Sequence, residues 1–219
     1  MKTSKNFLNC KKKFLHFFPK GFQDEKYYSW ERTYKWETHK QWKLLLNRTI
    51  FEDLLKKGNF EEICHKATKI EAKTHLLFSF EKMAIRDALK TREAQRLFAE
   101  ALYQFIYQQD AIERKFEKWS GVVASLPRKQ TRVLTWPILT IFGFIAEPKK
   151  YIYFKPTVTR KAALLYGFDL FYESPPSLKT YISFLEFIKL LRRDLKELQP
   201  KDLIDIQSFI WVLGSSEYD

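Results

Sequence analysis

The chain has 219 residues, with 39 Lys and Arg against 26 Asp and Glu and a formal net charge of +13. At 45% hydrophobic and 17% aromatic residues, with only 6 Gly and 8 Pro, it holds ample core material, which excludes a disordered or collagen-like chain. The length allows one large domain or two small ones, and we expect a single mainly α, multihelical domain over 1–219.

At the start, Lys2 and Lys5 precede only Phe7-Leu8 before Asn9 and Lys11-Lys12-Lys13. That is too short for the apolar stretch of a secretory signal, so a cytoplasmic chain is expected. Cys10 and Cys64 lie in no C-x-x-C pair and make no disulfide framework, which points to a reducing compartment. Residues 1–48 carry 12 Lys and Arg against 4 Asp and Glu, so most of the net charge sits in a basic, aromatic-rich N-terminal region. There Lys11, Lys12, Lys13, Arg32, Lys35 and Lys40 interleave with Trp30 and Trp36. Cations release counterions from phosphates and aromatic faces stack on bases, so these eight residues are the candidate nucleic-acid contacts. The plainer reading packs Tyr27, Tyr34, Trp42 and Leu45 inward and leaves the lysines as a solvated face.

Helical periodicity continues to Leu126. Gly58 closes Ile50 to Lys57, and Asn59 can cap the next helix. Apolar stripes at i, i+3, i+4 spacing run through Leu76, Leu77, Phe80, Met83 and Ala84, then Ala94 to Ile106, then Ile112 to Leu126. Asp87 interrupts the first stripe as Arg192 interrupts a later one, so an Asp87–Arg192 ion pair would resolve both. Pro127 to Gln130 is the best candidate seam. The longest uncharged stretch, Val133 to Ala146, is 14 residues and too short to span a bilayer, so no membrane association is expected. Pro137 suits a first helical turn and Pro148 a stop, so Ile138 to Ala146 reads as a buried helix, with a strand as the alternative.

Next, Tyr151 to Phe154 and Phe168 to Tyr172 are aromatic and β-branched runs, which predict a minor two-stranded β element near residues 150–172. Between them, Lys155, Thr157, Thr159 and Arg160 gather at the start of a short helix closed by Gly167, a candidate anion-binding group without a glycine loop. Ser177 opens a long helix through Leu198, and Asp202 caps a last one ended by Gly214, with Asp205 and Gln207 inside its apolar run. No spacing of His16, His39, His65 or His75 suggests a metal site, no cofactor fingerprint is present, and Glu71-Ala72-Lys73 and Ser120-Gly121 lie in helical context. No catalytic residue is assigned, and whether the chain is an enzyme stays open.

Gly21-Phe22 with Asp24, Trp30 to Trp36 (WERTYKW), His39, Thr135-Trp136-Pro137, Lys155 to Thr159 (KPTVT) and Ile204 to Trp211 (IDIQSFIW) resemble the blocks of an uncharacterised bacterial protein family. The blocks span nearly the whole chain. The resemblance implies one unit of bacterial cytoplasmic origin and transfers no activity. Three functions remain in play: association with DNA or RNA through the N-terminal surface; an enzyme on a phosphorylated or carboxylated small molecule, with Asp205 or Asp87 as acid or base; and a protein-interaction module.

Overall fold

The structure, a computed structural model, describes residues 5–219. Among them run eleven α-helices of nine or more residues: α1 Lys5–Phe17, α2 Thr33–Leu45, α3 Arg48–Lys56, α4 Phe60–Glu71, α5 Ser79–Ala88, α6 Arg92–Tyr107, α7 Ile112–Ser125, α8 Trp136–Ala146, α9 Pro156–Tyr166, α10 Leu178–Asp194 and α11 Leu203–Gly214. A helical turn Glu25–Tyr27 and a π-helical turn Tyr28–Arg32 lead into α2. Side-chain caps fix several starts: Asn47 accepts from Ile50 N–H, Thr91 from Ala94, Thr135 from Ile138, Ser177 from Thr180 and Asp202 from Ile204. Gly167 ends α9 in the left-handed region at φ 82°, where glycine has no Cβ to clash.

No helix among the described residues is long and apolar enough to cross a membrane. No strand occurs among them either, so the expected β pair is corrected. Its second run finds its hydrogen bonds elsewhere: Phe171 N–H donates to Ser183 Oγ at 3.0 Å and Glu173 N–H to Thr180 Oγ1 at 2.9 Å, both acceptors on α10. Side-chain hydroxyls thus replace a ladder. The stretch read as a buried helix is one, and every residue of α8 is buried.

Two compact units can be distinguished, and the seam expected at 127–130 lies inside the second. Among the described residues, unit 1 comprises 5–34 and Phe154–Asp219. Within it α11 lies against α9 and α1. Gly214 permits the closest approach, since a Cβ there would stand 2.0 Å from the Val158 carbonyl oxygen. Phe14 of α1 meets Phe22 at 4.9 Å and Phe209 of α11 at 5.2 Å, forming an aromatic core.

Unit 2 is Lys35–Tyr153. The apolar faces of α6 and α7 meet, with Phe105 and Trp119 stacked at 5.9 Å, and the Trp119 indole N–H donates to the Leu139 carbonyl at 2.8 Å. Two expectations fail on α5. Leu76, Leu77 and Ala84 are buried, but Phe80 and Met83 are exposed. Asp87 pairs at 2.5 Å with Lys90, just beyond the end of its helix, and Arg192 is exposed, so the Asp87–Arg192 pair does not form. An acid on the solvent side of α5 needs no buried partner.

Candidate functional site

Unit 1 buries several charged and polar side chains, among them Asp24, Glu31, Arg32 and Asp205. Tyr27, and Glu31 and Arg32 in the widened turn that follows it, are all buried, and that turn lies against α11. Arg32 Nη1 donates to Asp205 Oδ1 at 2.5 Å and to Asp202 Oδ1 at 3.0 Å, while Nη2 donates to Asp202 Oδ2 at 2.7 Å. One guanidinium therefore bridges two carboxylates through its planar fork. Asp205 is fully buried and accepts two more bonds, from the Tyr27 hydroxyl at 2.5 Å and from Lys201 N–H at 2.6 Å. On the same turn, Glu31 accepts from the Tyr218 hydroxyl at 2.6 Å.

The electrostatics follow from this geometry. Burial pushes the Asp205 carboxyl up, against the pull of Arg32, the Tyr27 hydroxyl and Lys201 N–H. Burial works to lower the Arg32 guanidinium, but the Asp202 hydrogen bond and both carboxylate charges outweigh it, and its pKa is raised. Burial and Asp205 raise Tyr27 well above the ordinary phenol range. This cluster is a closed structural brace: the donors and acceptors named here are spent on one another. Gln207 Oε1 is buried nearby in sequence with no hydrogen-bond partner.

The eight expected nucleic-acid contacts do not form one strip. Arg32 and Lys35 are buried, which corrects their assignment as surface cations; Arg32 is bound through Nη1 and Nη2 to Asp202 and Asp205. Lys11 pairs with Glu197 at 2.5 Å, Lys13 with Asp219 at 3.3 Å and Lys40 with Glu37 at 2.6 Å. Trp36 is half-buried. Lys12 is exposed, with no carboxylate against it among the described residues. Trp30 is 54% exposed, and Lys26 Nζ sits 4.1 Å from its ring centroid. Close by in the chain, Lys201 donates to the Tyr28 hydroxyl and lies 5.1 Å from that ring.

The expected anion group also divides. Lys155 and Thr159 are buried. Thr157 and Arg160 instead line an open cavity of 420 Å³ with Lys161, Leu164 and the segment Phe168 to Leu170. The Arg160 guanidinium lies 4.7 Å from the Tyr172 ring centroid, and Lys161 is engaged by Asp219 at 2.9 Å. Neither Asp205 nor Gln207 lines this cavity.

Unit 2 holds its own perturbed groups. Burial pushes the Glu71 carboxyl up to about 7, opposed by the charge of Lys82. Burial, with the charge of Lys150, lowers Lys115, whose Nζ donates to the Tyr151 hydroxyl at 2.5 Å. Cys64, beside a cavity of 180 Å³, is held at about 12 by burial. In unit 1, burial holds the Cys10 thiol at about 11. Both thiols are poor nucleophiles in that state.

Sequence reasoning missed the Tyr27–Asp205, Arg32–Asp205 and Glu31–Tyr218 contacts. The signal was present: charges embedded in the aromatic block Trp30 to Trp36 and in the apolar block Ile204 to Trp211 call for each other, and in the structure those blocks meet at Arg32 and Asp205. The Lys155 to Thr159 block meets the same helix at Val158 and Gly214. Comparison with protein-family models, curated proteins and solved structures found no match to this chain.

Proposed function

We propose that this chain is a nucleic-acid-associated binding protein whose unit 1 surface engages phosphates and an exposed base. The observation that carries the reading is Trp30: an indole more than half exposed, with the Lys26 ammonium over its ring, on a chain of net charge +13. An exposed indole offers a π-face to a base, and a cation held against it stands ready for the adjoining phosphate. Lys12 and Lys20 are exposed cations of the same unit. The contact set thus becomes Lys12, Lys20, Lys26 and Trp30, in place of the longer strip read from sequence.

The test is binding of a labelled oligonucleotide between 50 and 200 mM salt. Affinity should fall steeply, and Lys12→Ala and Lys26→Ala should each reduce the log–log slope by about 0.7 to 0.9. Trp30→Ala should weaken binding roughly 5-fold or more with the slope kept. A flat salt response would sink the reading.

A second reading, capture of a phosphorylated or carboxylated small molecule, is favoured by the 420 Å³ cavity with Arg160 at its wall. It is a binding reading only, because Asp205 is locked in its own ion pairs away from that wall. Calorimetric titration with inorganic phosphate, compared with Arg160→Ala, decides it: heat that survives the substitution places the anion elsewhere.

A further inference from the structure

The surface of unit 2 carries an aromatic ring, Phe80, that the helical stripe should have buried, with Phe78 exposed beside it. Phe78 at the N-cap of α5 and Phe80 in its first turn are 54% and 46% exposed, their centroids 5.4 Å apart and their planes inclined by 30°. Met83, one turn on, is 55% exposed. The inward face of α5 belongs to Glu81, Ala84, Ile85 and Ala88, so the 100° step per residue turns Phe80 and Met83 outward with Arg86. Lys129 lies close enough for its charge to act on Asp87, the acid of this face, and Lys90 already pairs with that acid at 2.5 Å. The result is exposed apolar area flanked by Arg86, Lys90 and Lys129, cations that outnumber Asp87, the acid of this face.

A contiguous exposed apolar patch of this kind marks a binding surface, and its cationic border selects an anionic ligand. The ligand that combines flat apolar faces with regular negative charge is a nucleic acid, and the faces are available only when bases are unpaired. In a duplex each base is covered by its neighbours, leaving edges and phosphates alone. We infer that the α5 face of unit 2 binds single-stranded nucleic acid, with a base stacked on the Phe78–Phe80 rings and phosphates at Arg86 and Lys129. This rests on the nucleic-acid reading above and adds to it the class of ligand and a second contact.

The experiment is fluorescence anisotropy of the full chain with a labelled 20-nucleotide oligo(dT), an oligo(U) of equal length and a 20-base-pair duplex, at 50, 100 and 200 mM salt. Either single strand should bind at least about tenfold more tightly than the duplex at 200 mM, where stacking outlasts screened phosphate contacts. Phe80→Ala, an exposed position that leaves the core intact, should weaken single-strand binding roughly 5- to 100-fold without changing the salt slope or duplex affinity. Arg86→Ala with Lys129→Ala should flatten the single-strand slope by about 1.4. Equal affinity for the duplex, or a Phe80→Ala variant that binds oligo(dT) normally while Trp30→Ala does not, overturns the single-strand inference and leaves the unit 1 reading standing. No binding to any of the three probes overturns both. If light scattering finds a dimer that Phe80→Asp returns to monomer, the patch is a self-association surface and the inference is lost.

Discussion

Arg32 in unit 1 and Lys115 in unit 2 are both cations with little exposure, 5% and 9%, yet burial leaves them in different states. Arg32 is met by two carboxylates in bidentate geometry and is held firmly charged. Lys115 has a phenol hydroxyl and two aromatic rings for company, and its pKa falls. Glu71, equally buried in unit 2, has a hydroxyl neighbour, Thr74, at 3.4 Å and drifts toward neutrality. Burial sets the penalty, and the opposite charge at contact distance decides whether ionisation survives it.

The sharpest way to break that contrast is to remove the compensating charge in unit 1. Arg32→Met keeps the volume but strands Asp202 and Asp205, and should cost about 3–5 kcal/mol, read as a lower urea midpoint with an unchanged m-value. Adding Asp205→Asn should restore part of the loss; a double variant no better than the single would mean the carboxylate charge is not what hurts.

The next effect is a pH dependence in unit 2. Glu71 has its folded pKa raised from an ordinary 4.5 to about 7, so between those values the folded chain holds a proton that the unfolded chain releases. Its contribution is complete below about pH 4.5, declines as pH rises through 7 and is gone above. Glu71→Gln should therefore leave stability at pH 4 nearly unchanged and raise it at pH 8 by about 3 kcal/mol. Parallel pH profiles for the two proteins would show that Glu71 is not the titrating group.

The smallest effect belongs to Lys115→Met. Because the lysine is poorly compensated, its loss should change stability at pH 7 by less than about 1 kcal/mol, the Tyr151 hydroxyl keeping its bond to the Phe105 carbonyl at 2.5 Å. With its folded pKa below 10.5, Lys115 also makes the wild type gain stability as pH climbs toward that value, and the gain should vanish in the variant. A destabilisation as large as that of Arg32→Met would erase the distinction between the two units.

Much of the helical architecture was legible because its signals are local. Pro137 announces α8, Gly167 closes α9, and Ser177 and Asp202 start α10 and α11 as cap residues. The stripe through Phe98, Leu102 and Phe105 is buried for the periodic reason expected of it. What failed was the reading of apolar runs without such punctuation. Tyr151 to Phe154 is β-branched and aromatic because it is buried: Tyr153 donates to the Leu76 carbonyl in unit 2, while Phe154 packs on Phe184 in unit 1. Composition records burial there and leaves the ladder unspecified. Asp87 illustrates the other limit, since a wheel gives the angle of a residue and no sequence shows where the neighbouring helix ends. The candidate contacts divided for the same reason: Lys26 and Trp30 stayed at the surface, whereas Arg32, two residues on, was drawn inward by acids about 170 residues away.

The sheltered sulfurs of Cys10 and Cys64 have a practical corollary. With both held as neutral thiols inside the protein, a single cysteine introduced at exposed Ser29, next to Trp30, would outcompete them for a maleimide dye under native conditions. A fluorophore could then report ligand arrival at that indole directly, with no native residue removed to make the labelling selective.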